Sequence, residues 1–518
     1  MSRLGAVRDE DSFMTREPCC RSGFVWTALG MRALLAALAL PVALPSLHAQ
    51  AESQAIAEQR PIPFVSGEDL TGTAGTATGV RRVVAEEKTE TGFDRWWNGP
   101  TLLSGAEKPF FDLREKAAKN GVKFTGSYQG AFFGVIASEG GSRGFWSQQI
   151  NFGSEINVGK LLAVEALEGM VLFGAFRYRE PEISSNPNTF VDAPGSFNPS
   201  SWYSGTQFRV VSFGVEIRTA DFLPLKDMFV LRGGWLQPQR EFLEQPLSKL
   251  FLNTAINSSR GLGGNIPFSS SFSSWGATLK LNAAGEYYLK GGLFMAFPQG
   301  TASTNHGLAF AGYALDPGLN GLFAIAETGC TPTLGLQELP GRYAFGGYYW
   351  GLENTSYSGT ETPGQYGFYF QADQMVFREP APPSESRIAI PDAKTFSAPV
   401  TAEKPKFSEQ GLHTFNMLTF APGYNNTFPF YFQSGLAYAG IVPGRDKDFL
   451  MAAIAYGAYQ QLGGPDPRTY TAVLEGGYRF QVNGWSFLQP FVQYLVRPAG
   501  TNDVRNATIL GFTAGLVF

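Results

Sequence analysis

The chain has 518 residues, enough for two or three soluble domains or for one large barrel. Only 16% are charged, against about 25% in soluble domains, while 61 glycines and 14% aromatics suit a sheet whose outer face meets lipid. A net charge of -4 excludes a nucleic-acid binder with a basic face, and the 3 histidines and 3 cysteines form no metal-ligand cluster, so no metal or cofactor is expected.

Residues 31–49 form a short apolar run behind Arg32, and Ala49-Gln50-Ala51 supplies a small-x-small cleavage site. This reads as a secretory signal peptide within residues 1–51, whose long polar lead allows translation to begin at Met14 or Met31. The run is too short and too proline-broken to cross a membrane, and no later run of about 20 apolar residues exists. Cys19 and Cys20 fall in the leader, leaving Cys330 alone and no disulfide within the mature chain. Residues 52–95, rich in Ala, Thr, Glu and Gly without periodicity, are predicted to be a disordered periplasmic lead-in. In residues 96–121, Phe110, Leu113 and Ala117 recur at helical spacing before Gly121, which predicts a short helix able to lie against, or plug, one end of a barrel.

From Val122 the period changes to two. Strands are predicted at 122–137, 147–159, 169–179, 207–219, 228–237, 273–281, 286–297 and 321–328. They continue at 342–351, 365–377, 411–421, 429–439, 447–459, 469–482, 485–496 and 505–518. About sixteen such segments, each near ten residues, predict an all-β fold: a transmembrane antiparallel β-barrel over residues 122–518. The last segment sets Leu510, Phe512, Leu516 and Phe518 on one face, an apolar ribbon that a barrel tolerates by pairing it with the first strand.

Connection lengths test this independently. Asn282-Ala-Ala-Gly285 and Asn483-Gly484 are short turns in even gaps, whereas the long stretches near 180–206, 238–272 and 298–320 fall in odd gaps. One even gap departs: 378–410, rich in Pro, Ser and Lys, reads as a disordered periplasmic insertion or as a hidden strand pair. Aromatics near strand ends (Tyr348, Tyr349, Trp350, Phe428, Phe430, Phe432, Trp485) are expected to form interfacial girdles.

An ionised side chain facing hydrocarbon at mid-depth costs roughly 2–4 kcal/mol, so charged strand residues must face a wet lumen. On 469–482 this turns Glu475 and Arg479 inward, opposite Leu474, Tyr478 and Phe480. On 207–219 it turns Glu216 and Arg218 inward, opposite Val211, Phe213, Val215 and Ile217. Arg177, Arg179, Arg232, Gln371 and Asp373 follow by the same alternation. A sixteen-stranded barrel is too wide for its own side chains to fill and is expected to enclose an aqueous channel. For any one of these residues, simple pairing with a neighbouring strand competes with a role in the pore.

The block 231–244 (LRGGWLQPQREFLE), followed by Phe251-Leu-Asn-Thr254, resembles the carbohydrate-selective porin (OprB) family. So do Glu338-Leu-Pro-Gly-Arg-Tyr-Ala-Phe-Gly-Gly-Tyr-Tyr349, Gln371-Ala-Asp-Gln374, Gly440 to Asp448, and Leu488 to Pro498. The resemblance runs in order from about 96 to 518. It implies an outer-membrane porin for facilitated diffusion of monosaccharides and similar sugars, narrowed by infolded loops and lined by arginines and acids. That pore-lining role transfers to the lumen-facing Arg177, Glu216, Arg218, Arg232, Asp373, Glu475 and Arg479. Expected partners are small carbohydrates, outer-membrane lipid and the assembly machinery that reads terminal Phe518, with the porin a monomer or a homotrimer. A general size-limited channel is the alternative. A barrel enzyme would need a Ser–His pair, and His306 and His413 show no convincing partners; a plugged, purely structural barrel is the third reading.

Overall fold

The computed structural model describes residues 107–181, 197–200, 202, 207–219, 228–258, 260–266, 273–282, 286–296, 321–380, 410–460, 468–483 and 485–517. The expected signal peptide and lead-in, His306, most of the 378–410 insertion and Phe518 lie outside these residues. Among the described residues no helix is long and apolar enough to cross a membrane.

Helix α1 (Glu107–Lys119) precedes the sheet, with a Lys119–Glu115 pair of 2.8 Å one turn apart. It ends at Gly121, whose φ of 86° is the left-handed conformation such a stop requires. A Cβ there would also meet the Lys160 Cβ at 2.8 Å, because the Gly121 carbonyl accepts from the Asn157 amide at 2.7 Å.

Sixteen long strands follow, with the short helix α2 (Val158–Leu162) between the second and the third. The first eight are β1 (Val122–Ala137), β2 (Arg143–Asn157), β3 (Met170–Pro181), β4 (Gln207–Arg218), β5 (Phe229–Leu236), β6 (Ser274–Asn282), β7 (Tyr287–Ala296) and β8 (Gly321–Cys330). The rest are β9 (Leu339–Trp350), β10 (Gln365–Arg378), β11 (Gly411–Phe420), β12 (Phe430–Ala439), β13 (Phe449–Ala458), β14 (Tyr470–Gln481), β15 (Ser486–Val496) and β16 (Ala507–Val517). Each pairs antiparallel with its neighbour, and β16 returns to β1 in a register running from Ser127↔Val517 to Gly134↔Leu510. The sheet is therefore a closed sixteen-stranded barrel, and closure removes the free edge that the apolar last strand would otherwise expose.

Strand boundaries lie within a few residues of the sequence expectation, with the largest shift at the start of β2. β2 begins at Arg143, where Gly141 (φ 78°) and the Ser138 hydroxyl donating to its carbonyl at 2.8 Å close a tight turn and let pairing start early. β10 and β11 pair directly across the 378–410 insertion, with the Glu379 amide donating to the Gln410 carbonyl at 3.0 Å, so the sheet order is uninterrupted there.

The outer face is apolar as the alternation requires. Leu474, Leu510, Phe512 and Leu516 point outward and are exposed. Val211 departs from its expected outward position: a bulge between Ala175 and Phe176 of β3 skips it, and it is buried, its carbonyl accepting from the Ser273 hydroxyl at 2.7 Å.

The aromatic girdle needs correction as well. Tyr348, Trp350 and Phe428 are buried inside the barrel, whereas Tyr349 faces outward. The cause is the segment between β5 and β6, which folds into the lumen and gives inward aromatics something to pack on.

Candidate functional site

The infolding starts where Pro238, unable to donate to a sheet ladder, ends β5 and opens α3 (Pro238–Phe242) at its first turn. A 3₁₀ turn (Pro246–Leu250) follows, then α4 (Thr254–Asn257), capped by the Asn253 side chain accepting from the Ala255 amide at 2.9 Å, then α5 (Arg260–Asn265). Leu247, Leu250, Phe251 and Ile256 pack onto inward Phe415, Tyr431, Val473 and Phe491. Phe242, Leu243, Leu262 and Ile266 pack in one cluster with inward Leu236, Phe294, Phe323 and Tyr369. One side of the barrel interior is thus a packed core, and an open cavity of about 670 Å³ remains against β1 to β5 at the end carrying the short turns.

Polar contacts fix the infolded segment to the wall. The Glu475 carboxylate accepts the Leu252 and Asn253 amides at 2.8 and 2.9 Å and the Gln493 side-chain amide at 3.1 Å. Gln245 donates to Asp373 at 3.0 Å and to the Asn416 carbonyl at 2.9 Å, and accepts from Gln433 at 3.1 Å. Gln489 donates to the Leu250 carbonyl at 2.8 Å while accepting from Arg479 at 2.8 Å.

Where the segment meets the cavity, ion pairs form a ladder along the wall. Glu216 pairs with Arg218 at 2.5 Å and with Arg232 at 3.3 Å. Arg232 continues to Glu241 of α3 at 3.1 Å, and Glu241 to Lys290 at 3.3 Å. Farther round, Arg342 bridges Glu327 and Asp373, each at 3.3 Å, and Glu327 also accepts from the Tyr288 and Tyr369 hydroxyls at 2.7 and 2.9 Å. Aromatic faces support the cations: Arg232 lies 4.4 Å above Phe173 and Lys290 lies 4.7 Å above Phe242. Burial opposes ionisation of Glu241, yet Lys290 and Arg232 hold its pKa below the ordinary carboxylate value.

All seven charged residues singled out from the sequence lie on the inward face, but in two groups. Glu216, Arg218 and Arg232 border the cavity, and Arg177, half-buried farther along β3, donates to Asn151 at 2.7 Å. Asp373, Glu475 and Arg479 are 0%, 2% and 5% exposed, beneath or beside the infolded segment. Sequence reasoning missed Glu241, Gln245, Lys290, Glu327 and Arg342. A period-2 reading of β7 does signal Lys290, because it alternates with outward Leu289 and Leu293. Nothing local signals Gln245, whose partners are more than 100 residues away in sequence.

Among known proteins, the sequence pattern of the carbohydrate-selective porin, OprB family matches residues 197–518. Porin B of Pseudomonas aeruginosa is 24% identical over 293 residues, which cover 49% of this chain and 57% of that protein. The chain thus spans little more than half the length of that curated relative. The high-pH structure of Pseudomonas putida OprB superposes with a TM-score of 0.64 at 19% identity, covering 79% of this chain and 97% of that one, which shows the shared fold. With more than half the chain matched and the barrel closed in the same way, the chain belongs to the carbohydrate-selective porin OprB family, a non-enzymatic barrel of the bacterial outer membrane.

Proposed function

We propose that the chain is a passive channel for monosaccharides and related small sugars, whose path runs past the Glu216–Arg232–Glu241 rungs. The observation that carries this reading is the alternation of fixed carboxylates and guanidinium or ammonium groups beside a cavity of about 670 Å³. Sugar hydroxyls can donate to Glu216 and accept from Arg232, both of which border the cavity. Each contact replaces one made to water, so the net gain is small, as a channel needs if its solute is also to leave. The Phe173 ring under Arg232 keeps the guanidinium extended rather than collapsed on one acid. Arg177, on the same wall, belongs to this reading. Asp373, Glu475 and Arg479 serve it indirectly, by holding the segment that narrows the lumen.

Proteoliposomes containing the purified chain should swell faster in glucose than in a zwitterion of similar size. Equal rates would reduce the protein to a general size-limited channel. In Arg232→Ala the two facing carboxylates lose their shared cation, so bilayer reversal potentials should shift toward cation preference. An unshifted potential would mean that Arg232 only braces the wall. Contacts with outer-membrane lipid, recognition of Phe518 by assembly machinery, and a monomeric or homotrimeric state are part of the same proposal.

A further inference from the structure

The ladder is balanced in charge. Arg218, Arg232, Lys290 and Arg342 stand against Glu216, Glu241, Glu327 and Asp373. Lys280 lies beside it without a share in it. Its neighbour Leu279 is exposed on the lipid face, so Lys280 points inward, and the register sets it directly opposite Lys290. Among the described residues no carboxylate lies within ion-pair distance of its Nζ, which instead sits 4.8 Å above the Tyr288 ring. The Tyr288 hydroxyl is already committed to Glu327, so the ring alone serves Lys280.

Like charges directly opposite across two strands destabilise a sheet. Glu241 compensates Lys290 but not Lys280, and the pair therefore retains one surplus positive charge on the lumen wall. An anion reaching the Lys280 ammonium would relieve it. Fixed carboxylates at Glu241 and Glu327 lie close by and would repel a multiply charged anion more than a polyol carrying one carboxylate.

We propose that Lys280, with Lys290 opposite it, is a carboxylate-docking position that makes singly charged sugar acids a permeant class of this channel. The proposal rests on the sugar-channel reading and extends its substrate range. The test compares uptake of labelled glucuronate and glucose at pH 7.5 into liposomes holding the full chain, for wild type, Lys280→Gln and Lys280→Arg. The ratio of the two uptakes corrects for differences in the amount of inserted barrel. In Lys280→Gln it should fall roughly threefold to tenfold, as for one partly screened charge-assisted contact, and Lys280→Arg should keep it. An unchanged ratio in Lys280→Gln, or an equal fall in Lys280→Arg, would overturn the proposal while leaving the sugar channel standing. A wild type that passes no glucose would remove both.

Discussion

Glu475 shows why an inward charge need not face solute. Its carboxylate receives two consecutive backbone amides of the infolded segment, and it is 2% exposed. Replacing it with alanine strands both amides in a dry site, at a cost of about 2–4 kcal/mol. Glu475→Ala should therefore release the segment locally, giving larger and noisier single-channel currents from barrels that still migrate as folded on unheated gels. Unchanged currents would mean that the apolar core alone holds the segment. Glu241 offers a pH test. Its folded pKa lies below the ordinary 4.5, because Lys290 and Arg232 outweigh its burial. Its contribution to stability is thus fully present above about 4.5 and fades as pH falls through the depressed value. The difference in denaturant midpoint between wild type and Glu241→Gln should be constant at neutral pH and shrink only under strong acid.

At the scale of elements, the infolded segment decides which residues face the open lumen. Its aromatic Phe242 packs closely against the wall because Gly292 opposite has no side chain; a Cβ there would meet Phe294 at 2.7 Å and Phe242 at 2.8 Å. Gly292→Val should displace α3, at a cost of about 1–3 kcal/mol from overpacking, and change conductance more than a substitution on the lipid face does. Alternation in the sequence was enough to assign most strand faces. It failed at Val211, where one extra residue in β4 shifts the pattern, and at Tyr348, Trp350 and Phe428, where an aromatic at a strand end faces either lipid or a packed interior. Period-2 patterning cannot distinguish these two apolar surroundings.

For the whole molecule, stability rests on an apolar outer belt and a closed hydrogen-bond ring. Leu510→Arg puts a cation on the lipid face of β16 and should cost about 2–4 kcal/mol if the residue sits near mid-depth, read as a lower urea midpoint for the folded barrel in lipid vesicles. A conservative change at inward Thr513 should leave that midpoint nearly unaltered, since Thr513 never meets lipid.

The sequence by itself determined the strand count, the pairing of β16 with β1, the alternation of turns and loops, and the inward direction of every charged residue singled out. Those features depend on local periodicity and on the cost of exposing charge to hydrocarbon, both written in consecutive residues. Only the tertiary structure decided which inward residues border the open cavity and which anchor the infolded segment. That distinction depends on contacts such as Gln245 with Asp373 and Asn253 with Glu475, which join positions far apart in the chain and leave no periodic trace.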